Sequence, residues 1–254
     1  MSIEPLLAWW RAQDDRFDRV DRSWWGAVVS DARYPDVQEA NYARVEARSP
    51  VSLEEVEALL VPTMERTANG RTHVVVFHPE EQPDLLVEAS TRGDRLTWDL
   101  PMEHRSVPPE PETAVERVAA FDGAVARLHR ASMRWFGITD EPVIEQLVAM
   151  EREVMLPAGR IWFAIREGER PVALAALLVL EGAGYVDHVV TEPAARRRGY
   201  ATALACRAVA EARARGAERT YLLADPEGDA ARIYERIGFR PLTRIASWIA
   251  PRRP

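Results

Sequence analysis

At 254 residues, 47% hydrophobic and 29% charged, the chain has ordinary globular composition, far from the low-hydrophobicity range in which chains stay unfolded. The formal charge of −7 argues against a nucleic-acid partner, which needs a basic face to displace counterions from phosphates. No apolar run approaches the ~20 residues of a membrane span, and the N-terminus lacks the pattern of an export signal, so no membrane partner and a cytoplasmic location are expected.

The length suits one large domain or two small ones. All 33 basic residues are arginine, and Cys206 is the only cysteine, so no internal disulfide can form. Trp9, Trp10, Trp24 and Trp25 near the start read as core or interface aromatics, with an acceptor cleft as the functional alternative. Ser52 and Glu55 have capping-box spacing, and Val56, Leu59, Leu60 and Met64 follow at helical intervals, which predicts a helix over 52–68. A short buried strand is expected over 73–78, a helix over 83–92 closed by Gly93, and a strand over 95–100. Three prolines in polar surroundings mark 106–113 as a linker, which divides the chain into an N-terminal domain over 1–105 and a C-terminal one over 114–254.

In the second half, 114–131 and 140–153 read as helices, the latter with Asp140 as N-cap and Pro142 in its first turn. Strands over 160–165, 172–180 and 185–191 are separated by Glu-Gly turns, as in consecutive antiparallel hairpins. The pattern then changes to a helix over 200–215, a strand over 220–224, a helix over 229–237 and a last strand over 239–249. The expected fold is α/β: a mixed, mainly antiparallel sheet flanked by helices, with an internal parallel crossover.

The most informative stretch is Val189-Val190-Thr191-Glu192-Pro193-Ala194-Ala195-Arg196-Arg197-Arg198-Gly199-Tyr200-Ala201-Thr202, a strand that runs through an Arg-rich loop into a helix. Free N–H groups at a helix N-terminus, with the positive end of its dipole, hold a phosphate, and a glycine lets the main chain come close. Taken alone, the three arginines read as well as a solvated surface run. The stretch resembles the glycine-rich element of the GNAT superfamily of acyl-CoA-dependent N-acyltransferases, in which Gln or Arg, two residues, Gly, one residue and Gly or Ala follow a strand. A second element of that family, Ala four residues before Tyr and then Gly-Phe, is matched by Ala230, Tyr234, Gly238 and Phe239.

The resemblance covers about 114–250. It implies a GNAT-like acyl-CoA fold and acetyl-CoA as cosubstrate. Val189, Val190 and Thr191 would pair with the pantetheine arm, and Arg196, Arg197, Arg198, Gly199, Tyr200, Ala201 and Thr202 would hold the pyrophosphate. It also implies backbone oxyanion donors on the Val189–Val190 strand and Tyr234 as general acid. The acceptor would be a small-molecule or peptide amine, and the oligomeric state monomer or homodimer. Glu227 stands where the family often has Asn, which puts the usual thiol-side contact in question. The strand, helix and strand over 73–102 are similar to the last third of the same fold, without an arginine loop, and suggest a degenerate GNAT-like half in tandem; a family-specific extension is the alternative.

For the base, Asp187 shares a strand face with Tyr185, while simple alternation turns His188 the other way. The five histidines lack ligand spacing with Cys or carboxylates, so no metal is expected. The functional expectation is direct transfer of an acetyl or similar acyl group from acyl-CoA to an amine; the alternative is a catalytically silent acyl-CoA-binding regulatory or scaffold protein.

Overall fold

The structure is a computed structural model that describes residues 2–121 and 123–250. The chain forms two compact units, one of Met1–Pro101 with Leu242–Pro254 and the other of Met102–Pro241.

The first unit opens with α1 (Glu4–Asp14) and the strands β1 (Arg19–Ser23), β2 (Gly26–Ser30) and β3 (Tyr42–Val45), which pair antiparallel in sequence order. Helix α2 (Leu53–Thr67) then crosses to β4 (Thr72–Val76), which lies parallel to β3. Its predicted start is present: the Glu55 N–H donates to Ser52 Oγ at 3.2 Å, and the Ser52 N–H donates to Glu55 Oε2 at 3.0 Å. Val56, Leu60 and Met64 are buried against Val28, Val45 and Val76 in one apolar core. Helix α3 (Pro83–Thr91) leads to β5 (Thr97–His104), and the passage between units falls inside that strand, after Pro101. The C-terminal strand β12 (Ile245–Ala250) completes this sheet, antiparallel to β4 through Ala246↔Val76 and to β5 through Ala246↔Trp98.

The second unit repeats this order. After the two-residue β6 (Glu116–Arg117) come α4 (Gly123–Met133) and α5 (Glu141–Met150), which ends in a π-helical turn over Glu151–Met155. Strands β7 (Ile161–Glu167), β8 (Arg170–Leu180) and β9 (Ala183–Thr191) pair antiparallel in sequence order, turning at the two Glu-Gly steps. Helix α6 (Tyr200–Ala214) crosses to β10 (Arg219–Ala224), parallel to β9; α7 (Asp229–Arg236) and the short β11 (Arg240–Pro241) follow, the latter pairing with Met102 and Glu103 of β5. The fold is thus α/β, with mainly antiparallel sheets, flanking helices and a parallel crossover in each unit.

Three expectations need correction. The helix over 114–131 is a strand and a shorter helix, because Glu116 and Arg117 pair with Ala164 and Phe163 of β7 while Val118 and Phe121 pack beside Trp162. Asp140 has the extended backbone of an N-cap, but its side chain makes no capping bond. The strand over 239–249 is broken in two, and residues 242–250 belong to the first unit and not, as a C-terminal domain over 114–254 implies, to the second.

Candidate active site

Strand β9 changes course near its end. Ala176 pairs with Asp187 and Leu174 with Val190, so three steps on β9 match two on β8, and the extra residue, His188, sits in the left-handed region at φ 51°. The parallel pairing of β9 with β10 stops at Tyr185↔Tyr221, although both strands continue. From Val186 onward β9 therefore has a main-chain edge with no β10 partner, and Val189, Val190 and Thr191 lie along it.

The end of β9 leads directly into the start of α6. Gly199 is the N-cap at φ 78°, Arg197 is also left-handed at φ 68°, and the first bond of the helix is from the Ala203 N–H to the Gly199 carbonyl at 3.0 Å. The N–H groups of Tyr200, Ala201 and Thr202 are thus the open donors of a first helical turn, and the alternation of left-handed residues before them adds a concave run of backbone dipoles. Helix α6 lies very close to β9: a Cβ at Gly184 would stand 2.7 Å from the Ala212 Cβ, so only glycine permits this approach. The three arginines differ in their engagement. Arg196 Nε donates to the Thr191 carbonyl at 3.2 Å and Arg198 pairs with Glu167 at 2.7 Å, while Arg197 is exposed and has no hydrogen bond or ion pair among the described residues.

The bulge brings Asp187 and His188 to the same face, which corrects the expectation from simple alternation. Asp187 Oδ2 pairs with Arg160 Nη2 at 3.1 Å, and its Oδ1 accepts the His188 backbone N–H at 2.7 Å. Arg160 Nη1 reaches Glu151 Oε2 at 3.1 Å, and Glu151 Oε1 accepts the Trp162 indole N–H at 2.6 Å. The His188 ring lies 5.2 Å from the Trp162 ring, 4.6 Å from the ring of His129 and 5.3 Å from exposed Phe136. Ser132 donates its single proton to the His129 carbonyl at 2.7 Å, so at 2.7 Å from its oxygen His188 Nε2 must be the protonated nitrogen. Burial and then the Arg160 charge push His188 down to about 3, and burial with His188 and Arg160 pushes His129 down to about 2. Both are neutral at physiological pH.

Tyr234, on α7, is buried and packs edge-on against Phe239 at 5.8 Å. Burial first, and the Asp187 charge second, raise its hydroxyl to about 12. Glu227, where the related motif often has Asn, donates its backbone N–H to Asp225 Oδ1 at 2.9 Å. Cys206 is buried on α6, in agreement with a packing role. Sequence reasoning missed Glu151, Arg160, Ser132 and His129. None of them lies in a motif, and the one faint signal is that an Arg before an apolar strand is placed to enter its own sheet's core.

Residues 124–239 match the model of the acetyltransferase (GNAT) family. This stretch is a GNAT domain, and the strand, arginine loop and helix just described lie inside it. Among solved structures the whole chain is similar to a GCN5-related N-acetyltransferase from Kribbella flavida, with a TM-score of 0.69 at 21% identity over 99% of this chain and 96% of that one. It is also similar to a functionally unknown conserved protein from Staphylococcus epidermidis, with a TM-score of 0.71 at 8% identity over 100% and 98% of the two chains. A tandem GNAT protein from the clavulanic acid biosynthesis pathway aligns with a TM-score of 0.59 at 13% identity over 96% and 88%. At such identities the likeness is one of fold. A comparison with curated proteins gives no match. Among the described residues no helix is long and apolar enough to cross a membrane, and no group of three or more His, Cys, Asp or Glu side chains could hold a metal ion.

Proposed function

We propose that this protein is an acyl-CoA-dependent N-acyltransferase that transfers an acetyl or similar acyl group directly to a small-molecule or peptide amine. The observation that carries the reading is the unpaired edge of β9 running straight into the open N-terminus of α6. An extended pantetheine arm, with its amides, fits such an edge as a further strand would, and a pyrophosphate fits the helix start. Val189, Val190 and Thr191 would hold the arm. The backbone from Arg197 to Thr202 would hold the pyrophosphate, with Arg196 bracing the loop against Thr191 and Arg197 free to reach phosphate. On this reading the first unit, whose element order repeats that of the second, is a degenerate GNAT-like half.

When bound, acyl-CoA supplies an acyl group activated as a thioester. Backbone N–H groups at the bulge are suited to receive the developing oxyanion. Tyr234 serves as a hydrogen-bond donor to the departing sulfur and not as a full acid: with the phenol near 12 and a thiol near ~8.5, complete transfer is uphill by about 5 kcal/mol. Asp187, with one oxygen on Arg160 and the other on the His188 N–H, attracts a cationic acceptor and is poorly placed to take its proton. An acceptor whose neutral form is easily reached, such as an α-amine near ~7.8, less than about one unit above pH 7, then suits the site better than a lysine-like amine near ~10.4, whose deprotonation at pH 7 costs about 4–5 kcal/mol.

The same two observations, a high Tyr234 and an engaged Asp187, favour a second reading in which acyl-CoA binds without turnover. Calorimetric titration with acetyl-CoA tests both. Native protein should bind in the micromolar range, and Gly199→Glu should weaken binding about tenfold or more, since it places a side chain at φ 78° and a negative charge beside the phosphates. Absence of native binding would refute the assignment. Binding with no thiol release across an amine panel would favour the silent protein.

A further inference from the structure

The bulge in β9 is a strained feature that something has to hold. A non-glycine residue in the left-handed region costs about 1–2 kcal/mol, and His188 is in addition the residue at which β9 has already parted from β10. Its backbone N–H is held by Asp187 Oδ1 at 2.7 Å and its ring by Ser132 at 2.7 Å. Asp187 is in turn held by Arg160, whose side chain is 8% exposed, and Arg160 by Glu151, whose side chain is 3% exposed. Glu151 stands at the start of the π-helical turn that ends α5, a type of insertion that shifts the phase of the residues after it and recurs at functional sites.

This chain of charges is a poor investment in stability. Replacing a buried ion pair by apolar side chains of similar volume is often neutral or favourable, and here Arg160 Nε is buried with no hydrogen-bond partner among the described residues. A purely structural role would be met better by methionine and leucine. What the charges accomplish is geometric: the planar guanidinium bridges two carboxylates, one rooted in the π turn and the other beside the bulge, and so ties the path of β9 to the helix layer. We propose that Arg160, held by Glu151, is a positioning residue that keeps the β9 bulge open for the thioester end of an acyl-CoA arm. The proposal rests on the functional reading above and adds that the pantetheine half of the site depends on this pair while the phosphate half does not. Neither Glu151 and Arg160 nor Asp187, His188 and Ser132 belong to the loop at the start of α6.

Two ligands separate the halves: acetyl-CoA, and 3′-phospho-ADP, which carries the nucleotide and pyrophosphate without the arm. The double variant Glu151→Leu with Arg160→Met removes both buried charges together and leaves neither unpaired. Asp187→Asn breaks the same chain at its half-exposed end and decides the matter if the double variant does not give the native thermal unfolding transition. In calorimetry each folded variant should bind acetyl-CoA at least about tenfold more weakly, the equivalent of one or two lost hydrogen bonds to the arm, while binding 3′-phospho-ADP within about twofold of native. Equal loss for both ligands would mean that Arg160 merely supports packing, and unchanged acetyl-CoA affinity would mean that it supports neither half; both overturn the proposal. If the native protein binds neither ligand, it is the functional reading that fails, and this proposal falls with it.

Discussion

His129 and His188 illustrate how far a site can depart from what its residue types suggest. Both rings pack edge-on against Trp162, His129 also against Phe121 and His188 against Phe136, and both are kept neutral by burial and by the Arg160 charge. The consequence for stability has a definite sign. A histidine depressed from about 6.5 to about 2 or 3 binds more protons unfolded than folded, so its contribution is intact above pH 6.5 and is lost progressively as pH falls toward the folded value. At pH 5 the loss is about 2 kcal/mol for a fully buried histidine. His129→Phe, which keeps an aromatic ring beside Phe121, should therefore reduce by about 2 kcal/mol the stability difference between pH 7 and pH 5 measured by urea denaturation. An unchanged difference would show that His129 does not titrate as its surroundings require. None of this was legible in the sequence: a lone His on a helix or an apolar strand gives no sign of its neighbours, and the bulge that turns His188 to the face of Asp187 has no local signature, being set by the pairing of β8 with β9 and by Arg160.

At the scale of elements, the sequence spoke most clearly where turn chemistry and periodicity agree. The Glu-Gly steps at 167–168 and 181–182 became tight turns with left-handed glycines, and the capping box at Ser52 became the start of α2. The start of α6 was legible because Gly199 follows a polar loop and precedes an alanine-rich run. The arginines themselves do not decide between a solvated run and a phosphate loop, since two of the three are engaged with neighbouring groups; the proposal of a phosphate loop rests on the backbone at the start of α6. The π turn was invisible, because a helix with one inserted residue has nearly the periodicity of one without. The close packing of α6 on β9 was also invisible, though it sets where the helix N-terminus points. It yields a test: Gly184→Ala forces a methyl to 2.7 Å from Ala212 and should destabilise the protein by about 1–3 kcal/mol while weakening acetyl-CoA binding, as α6 is pushed off the strand. Adding Ala212→Gly removes the clash and should restore binding, although glycine in the helix still costs about 1 kcal/mol of stability. A single variant with native affinity and native urea midpoint would show that this contact does not govern the helix position.

For the whole molecule, the order of elements within each unit was largely readable, and the assignment of its ends was not. Hydrophobic patterning reports that a strand over 245–250 is buried; it does not report which sheet buries it. Ile245, Ala246 and Trp248 are 1%, 0% and 2% exposed, and they lie in the first unit between β4 and β5, over 140 residues later in the chain than their partners. The first unit is therefore finished only when the last strand has been made, and its stability has to respond to changes at the C-terminus. Trp248→Ala leaves a large void in the core that holds Val28, Val56 and Val76, with an expected cost of about 3–5 kcal/mol. Hydrogen exchange should locate the effect: amides of β2, β3 and β4 should lose protection, while amides of β7, β8 and β9, in the other unit, keep theirs. Equal loss of protection in β7 to β9 would mean that the two units unfold as one cooperative body. In that case the GNAT domain of the second unit would owe its stability to a strand that lies outside it.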